Sequence, residues 1–138
     1  MEHKWISHSV AETKRIAREF ANTLEEGAVV CLEGGLGAGK THFVKGMAAA
    51  FDIDENMVHS PTFTLIHEYT GTIPLYHFDC YRLESVEEAL EIGAEEYFYG
   101  EGVSVIEWPE RIREIIPEQS IWITIESLGN SKRKIVIR

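Results

Sequence analysis

The chain has 138 residues, is 44% hydrophobic, and carries a formal net charge of −10 from 13 Lys and Arg against 23 Asp and Glu. We expect one domain over residues 1–138, because this length suits a single buried core. The composition argues against a membrane protein, since no apolar run approaches the roughly 20 residues that cross a bilayer. The first residues lack the apolar stretch of a signal peptide, so we expect a cytoplasmic protein. The acidic balance disfavours tight direct binding to nucleic acid.

The first predicted element is a helix opened by a capping box, in which Ser9 is the cap and Glu12 reaches back to it. Apolar residues at helical spacing extend this helix to about Leu24, and Gly27 ends the connection to the next element. The run 28–32 is short, apolar and rich in β-branched residues. Such a run is typical of a buried parallel strand.

The segment from Gly34 to Thr41 fits the pattern G-x-x-x-x-G-K-[ST] of a Walker A phosphate-binding loop. Glycines let successive backbone N–H groups face phosphate oxygens, Lys40 can contact the β- and γ-phosphates, and the Thr41 hydroxyl can coordinate Mg²⁺. Residues 41–51 have helical apolar spacing, and a helix start beneath the phosphates adds the positive end of its dipole. An ordinary glycine turn between a strand and a helix would not explain the Gly-Lys-Thr ending.

An antiparallel hairpin is predicted in the middle of the chain. Its parts are a polar loop at 52–56, a β-rich segment at 62–69, a turn at 70–72 and a second strand at 73–81. Residues 60–64 resemble a switch loop that could sense a γ-phosphate, although the residues alone favour an ordinary strand entry. Ser85 and Glu88 then form a second capping box, which opens a short helix ending near Gly93.

The last third of the chain predicts three more strands. They lie at 103–106, 121–125 and 135–137, with a short helix at 111–116 and a turn at Gly129–Asn130. We interpret the basic cluster Lys132–Lys134 as the solvated tip of that last hairpin. Together the elements predict an α/β protein with a P-loop NTPase-like three-layer fold, whose mixed central sheet carries antiparallel strands.

Two carboxylates are candidates for the magnesium ligand that P-loop enzymes place at the end of a buried strand. Asp79 ends the run 75–78, and Glu107 ends the run 103–106. The second run is more uniformly aliphatic, which favours Glu107 as the end of a central parallel strand. Asp79 could instead be a turn or cap residue.

Other chemistries find less support in the sequence. Cys31 and Cys80 lie in apolar, strand-like runs typical of buried thiols, and the six histidines show no metal-ligand spacing. The guanine-reading Asn-Lys-x-Asp motif of GTPases and the signature loop of ABC-type ATPases are missing. A small-molecule kinase remains open, with Arg82, Arg111 and Arg113 as possible lid residues. A non-catalytic nucleotide-sensing module also remains open.

Four motifs together resemble the TsaE (YjeE-type) family of P-loop ATPases. They are Leu36–Thr41, Ser60–Thr64, His77–Leu83 and Ile106–Trp108, in the family's order and spacing. The resemblance extends from about Ser9 to Ile137. It implies an ATP-binding and ATP-hydrolysing subunit for threonylcarbamoylation of adenosine 37 in tRNAs that read codons beginning with A. It also implies TsaD and TsaB as protein partners, which agrees with the acidic charge.

The resemblance further implies roles for individual residues. Lys40, Asp79 and Glu107 would be catalytic, with Asp79 orienting the attacking water, and Thr41 and Glu107 would hold Mg²⁺. The residues implied in ATP binding are Gly37, Ala38, Gly39, Lys40, Thr41 and His42 at the phosphates, Trp108 near the nucleotide, and Ser9, Val10 and Ser131 at the adenine side.

Three positions depart from the family pattern. His42 stands where a second threonine is common, Gly35 where an aspartate is usual, and Cys80 where a leucine is usual. His42 loses a hydroxyl contact but keeps its backbone N–H, and Gly35 could loosen the loop slightly. None of the three departures removes an expected catalytic group.

Overall fold

The computed structural model describes residues 2–59 and 65–138. Its strands are β1 (His3–Ser7), β2 (Val29–Glu33), β3 (Ile66–Tyr69), β4 (Leu75–Asp79), β5 (Val103–Glu107), β6 (Ile121–Ser127) and β7 (Arg133–Ile137). Its α-helices are α1 (Val10–Ala21), α2 (Lys40–Ala50), α3 (Val86–Glu91) and α4 (Ala94–Phe98), with 3₁₀ helices at Glu55–Met57 and Pro109–Ile115. No helix in the described part of the chain is long and apolar enough to cross a membrane.

The strands form one seven-stranded sheet in the order β1-β7-β6-β2-β5-β4-β3. The four central strands β6, β2, β5 and β4 run parallel, whereas β7, β1 and β3 are antiparallel additions at the two sides. The prediction of a mixed α/β sheet with antiparallel strands is therefore confirmed. The parallel centre matters most for function, because it brings the carboxyl ends of its strands to one edge.

Helices cover both faces of the sheet. Side chains alternate between the two faces along each strand, so one strand contributes to the hydrophobic clusters on both sides. In β2, Val30 and Leu32 belong to the hydrophobic cluster formed with α1 and α2. Val29 and Cys31 belong to the opposite cluster, which includes residues of α3, α4 and the second 3₁₀ helix. Val30, Cys31 and Leu32 are fully buried, which explains why this strand is a continuous apolar run rather than an alternating one.

Helices α1 and α2 approach each other closely at Gly46. A Cβ atom added to Gly46 would collide with the Lys14 carbonyl and would lie 2.7 Å from the Ala17 Cβ. Only glycine permits this approach, because any larger side chain would push the two helices apart. Beside it, Lys14 Nζ donates to Glu55 Oε1 at 2.9 Å, which ties α1 to the first 3₁₀ helix.

The Ser9 half of the predicted capping box of α1 is confirmed, but the Glu12 carboxylate turns to His8, and the helix ends earlier than predicted. Ser9 Oγ accepts from Glu12 N at 3.0 Å, while the Glu12 carboxylate contacts His8 Nδ1 at 3.3 Å. The helix ends at Ala21 rather than about Leu24, because the last amides bond three residues back, in a tighter turn.

Several other predicted elements also differ locally from the structure. Ser85 precedes α3 as expected, yet its side chain makes no capping hydrogen bond. The short helix α4 was not predicted, and the expected helix at 111–116 is a 3₁₀ helix beginning at Pro109. The predicted strand 62–69 is described as β3 from Ile66 onward. The proposed switch loop at residues 60–64 lies outside the described residues.

Candidate active site

A cavity of about 350 Å³ lies where the Walker A loop joins β2 to α2. Asp79 and Glu107 end the neighbouring strands and stand directly opposite each other in the β4–β5 register. The lining residues are Leu36, Gly37, Ala38, Gly39, Lys40, Thr41, His42, Asp79, Tyr81, Glu107, Trp108 and Arg133. The volume is in the range of small-molecule sites, and its position at the carboxyl edge of a parallel sheet is where such sites concentrate.

The loop backbone requires glycine at three positions. Gly37 and Gly39 have φ values of 76° and 101°, which side chains rarely adopt. A Cβ atom on Gly34 would lie 2.7 Å from the Ile125 carbonyl of β6, so this glycine permits the close approach of loop and sheet. At Gly35, by contrast, an added Cβ would meet nothing within 4 Å. The space around position 35 therefore does not require a glycine, although this chain has one where the family usually has an aspartate.

The Lys40 side chain folds back onto the glycine loop that precedes it. Its Nζ donates to the Gly34 carbonyl at 2.8 Å and lies 3.8 Å from the centroid of the Trp108 ring. Burial lowers the pKa of Lys40, and the negative charges of Glu107 and Asp79 oppose that effect. A partly desolvated ammonium group in a cavity is suited to bind an anion such as phosphate.

Glu107 is almost completely buried and bonds to a buried histidine. Glu107 Oε2 lies 2.5 Å from His77 Nε2, and the side chains of His77 and Glu107 are 0% and 5% exposed. At this distance a proton must lie between the two atoms, so a neutral His77 would carry it on Nε2 and donate. This hydrogen bond fixes one carboxylate oxygen on the side of β4. His77 Nδ1 is buried and has no hydrogen-bond partner among the described residues.

Asp79 has a different environment at the same sheet edge. Asp79 is partly exposed, and its Oδ1 accepts a hydrogen bond from the backbone N–H of Tyr81 at 3.0 Å. This is the local turn bond that aspartate often makes after a strand. Both interpretations of Asp79 therefore agree with its position, because it shapes the turn and also lines the cavity.

Trp108 adopts a backbone conformation that is strained for a side chain of its size. Its φ and ψ are 58° and 49°, a left-handed conformation that costs about 1–3 kcal/mol outside glycine. The Trp108 ring lies 4.9 Å, centroid to centroid, from the Tyr81 ring. Both rings line the cavity, and the Trp108 ring lies beneath the Lys40 ammonium group. Tyr81 was not predicted as a site residue, although an aromatic residue two positions after Asp79 was a usable signal.

Arg133 corrects the interpretation of the basic cluster as a solvated hairpin tip. Its Nε donates to the Ala38 carbonyl at 2.8 Å, and its Nη2 donates to the Gly37 carbonyl at 3.3 Å. Arg133 therefore contacts the Walker A loop and lines the cavity. Sequence patterns could not find this contact, because the two partners are 95 residues apart and meet only through the order of the strands.

Some residues predicted or considered for the site lie outside the lining set. Ser9 caps α1, Val10 is 37% exposed, and Ser131 is exposed in the β6–β7 turn. Their contact with adenine stays a prediction. Arg111 Nη1 donates to the Leu83 carbonyl at 3.4 Å, and the Arg113 guanidinium lies 4.5 Å from the Trp122 ring centroid, so neither of these two possible lid arginines lines the cavity.

The remaining titratable groups near the loop are shaped by burial. Burial, with help from Lys45 and Lys14, lowers the pKa of His42, which favours a neutral ring where His42 lines the cavity. Cys31 and Cys80 are free and buried, as predicted. Burial raises the pKa of each thiol to about 12, and such thiols are unreactive.

A Walker A loop between a parallel strand and a helix, with carboxylates ending the adjacent strands, defines the P-loop NTPase-like class of fold. Within this class, the model of the family "Threonylcarbamoyl adenosine biosynthesis protein TsaE" matches residues 7–135. The chain belongs to the TsaE family of threonylcarbamoyladenosine biosynthesis, which confirms the resemblance of its four motifs.

Individual relatives agree with this assignment. The chain is 46% identical to tRNA threonylcarbamoyladenosine biosynthesis protein TsaE of Treponema pallidum over 132 residues, covering 96% of this chain and 97% of that protein. It is 45% identical to the protein of the same name from Bacillus subtilis over 133 residues, covering 96% and 82%. The crystal structure of YdiB from Bacillus subtilis matches with a TM-score of 0.82 at 38% identity, covering 99% and 84% of the two chains.

Proposed function

We propose that this chain binds ATP with Mg²⁺ and hydrolyses it in support of threonylcarbamoylation at adenosine 37 of tRNAs reading codons beginning with A. The observation that carries the proposal is a single cavity lined by Lys40, Thr41, Asp79 and Glu107. The names of the relatives, which are tRNA threonylcarbamoyladenosine biosynthesis proteins, support the pathway.

The loop geometry supports binding of the triphosphate. Gly37 and Gly39 are left-handed, and Gly39 precedes α2 without a side chain that could cap the helix. The first amides of the helix and its dipole therefore favour an anion at this end. In this proposal Lys40 leaves the Gly34 carbonyl and binds the β- and γ-phosphates.

The donor set also fits a magnesium ion. The Thr41 hydroxyl and the Glu107 carboxylate line the same cavity, and both are hard oxygen ligands of the kind that Mg²⁺ takes together with phosphate oxygens. When bound, the ion neutralises charge that develops on the transferred phosphoryl group. Glu107 would hold it with a carboxylate oriented by His77, and Asp79 would orient the attacking water.

The resting contacts support slow turnover by the chain alone. Lys40 is bonded to its own loop, and Asp79 is bonded to the Tyr81 amide. Both groups must exchange these partners for the nucleotide and water. We propose that TsaD- and TsaB-like partners stimulate this exchange and that ATP turnover serves their modification cycle. The acidic charge of −10 favours such protein partners over direct contact with tRNA.

Reconstitution with purified TsaD- and TsaB-like proteins and tRNA tests the proposal. Phosphate release and threonylcarbamoyladenosine should both require the wild-type chain, and Lys40→Ala should abolish both. Lys45→Ala is the matched control, because Lys45 is on the same helix but does not line the cavity. Full activity in Lys40→Ala would refute the ATPase proposal. Phosphate transfer to a small acceptor without partners would support the kinase, and tight ATP binding without any turnover would support a nucleotide-sensing module.

A further inference from the structure

The side chain of Arg133 is almost fully engaged by backbone carbonyl groups. Its Nη1 donates to the carbonyls of Asn130 and Lys132 at 2.8 and 2.9 Å, within its own hairpin. Its Nε and Nη2 donate to the carbonyls of Ala38 and Gly37 at 2.8 and 3.3 Å. The hairpin therefore holds one end of the guanidinium, and the other end grips the phosphate-binding loop.

The hydrogen bond from Arg133 to the Ala38 carbonyl fixes the orientation of the following backbone N–H, which belongs to Gly39. The peptide between Ala38 and Gly39 is trans, since the described residues contain no cis peptide bond, and a trans unit directs its N–H opposite to its carbonyl. With the carbonyl held toward Arg133, the Gly39 N–H faces the other side of the loop. At Gly37 the same relation holds for the Ala38 N–H, which donates across the loop to the Gly35 carbonyl at 3.2 Å.

We propose that Arg133 is a positioning residue of the nucleotide site, which acts by holding the loop carbonyls outward so that the Gly39 amide is preset for phosphate. This inference rests on the proposed nucleotide binding. Because four of the five N–H donors of the guanidinium bond to carbonyls, Arg133 has little capacity left to bind the ligand itself. It acts through the Ala38 and Gly37 carbonyls that it holds and not as a phosphate ligand.

The proposal separates the shape of the guanidinium from its charge. A planar fork can bind the hairpin carbonyls and the loop carbonyls at once, whereas a lysine ammonium at position 133 is a compact point charge that cannot span both. If Arg133 contributed only positive potential, Arg133→Lys would behave as the wild type. If it orients peptides, Arg133→Lys fails almost as severely as Arg133→Met.

The first experiment measures MgADP affinity by titration calorimetry. Losing one preset amide bond to a charged phosphate corresponds to about tenfold weaker binding, which we expect for Arg133→Met. Arg133→Lys should remain at least about threefold weaker than the wild type. Lys134→Met is the matched control, because it removes the same charge from the next residue of β7, whose side chain faces away from the loop. This control should bind MgADP normally.

The second experiment uses the nucleotide-free protein, so it does not depend on the proposed function. The amide NMR signals of Gly39 and Ala38 should shift in Arg133→Lys and stay in place in Lys134→Met, and a cooperative thermal unfolding transition in every variant shows that the fold is kept. Wild-type affinity in Arg133→Lys would overturn the inference, and so would weakened binding with unmoved Gly39 and Ala38 signals. A wild-type chain that fails to bind MgADP would refute the proposed function instead.

Discussion

Glu107 and Asp79 occupy equivalent places in the sheet but very different surroundings. They end the neighbouring strands β5 and β4 and are paired in the parallel register. Glu107 is buried and bonded to the buried His77 side chain, whereas Asp79 is partly exposed and bonded only to the nearby Tyr81 amide among the contacts the structure describes. Register alone therefore does not determine what a carboxylate at this edge can do.

The two carboxylates therefore differ in how freely they can rotate. A carboxylate held by a side chain on another strand cannot rotate without breaking that bond, which suits a metal ligand of fixed geometry. A carboxylate held by its own turn can exchange the backbone N–H for a water molecule, which suits a group that orients a nucleophile. The three predictions that follow test this difference, from the largest expected effect to the smallest.

The largest effect is expected on stability when the buried bond is removed. His77→Leu should lower the free energy of unfolding by about 3 kcal/mol, because Glu107 is left buried without its partner. His77→Gln should lose less, since its side-chain amide can donate to Glu107. Asp79→Asn should change stability by less than about 1 kcal/mol, because a partly exposed group can bond to water. Urea unfolding without nucleotide measures all three, and equal losses for His77→Leu and Asp79→Asn would remove the contrast.

The next effect is expected on turnover. Asp79→Asn should slow ATP hydrolysis in the presence of partners by about 100-fold, or roughly 2.7 kcal/mol of barrier, while ATP binding stays normal. Glu107→Gln should also slow hydrolysis but should, in addition, remove the strengthening of ATP binding by Mg²⁺. Binding titrations with Mg²⁺ and with a chelator distinguish the two variants. Matched losses of binding and hydrolysis in Asp79→Asn would mean that Asp79 is only a turn residue.

The smallest effect is expected in the pH dependence of binding. Burial lowers the pKa of Lys40 below the ordinary 10.5, and Glu107 opposes this more strongly than Asp79. Anion binding needs the charged ammonium, so affinity for metal-free ADP should fall as the pH rises through the folded-state pKa of Lys40. That fall should begin at a lower pH in Glu107→Gln than in Asp79→Asn, because Glu107→Gln removes the stronger support for the charge.

Calorimetric titration of ADP across alkaline pH checks the order of these midpoints. Lys40→Arg is the control, since a guanidinium stays charged throughout the range and should show no such fall. The assignment of Lys40 would be contradicted if the control lost affinity at the same pH. The ranking of the two carboxylates would be contradicted if the midpoints were reversed.

The loop and its flanking elements could be predicted from sequence because their signals are local. The apolar run of β2, the glycines and the Lys40–Thr41 pair follow one another along the chain, and their residue types directly reflect backbone conformation and phosphate chemistry. Glu107 could be favoured over Asp79 for the same reason, because its strand is more uniformly aliphatic than the strand that Asp79 ends.

The remaining features depend on which strands become neighbours. The His77–Glu107 bond requires β4 beside β5, and the grip of Arg133 requires β7 to lie across β6 from β2. No local pattern encodes this order. Strand β1 was missed for a different reason, because it is an edge strand whose residues 3–6 are exposed and show no apolar alternation.

The missing side chain at Gly46 has a consequence for motion. Because the backbone of α1 rests directly against α2, with no flexible side chain between them, the two helices cannot slide past each other without a collision between main-chain atoms. Gly46 is six residues after Lys40, so this fixed point lies about 9 Å along the helix axis from the phosphate loop. The helical side of the site is thus held in place by this packing. If the chain hydrolyses a nucleotide as proposed, the resulting displacement should appear on the opposite side, where Asp79 ends β4 and Trp108 follows β5.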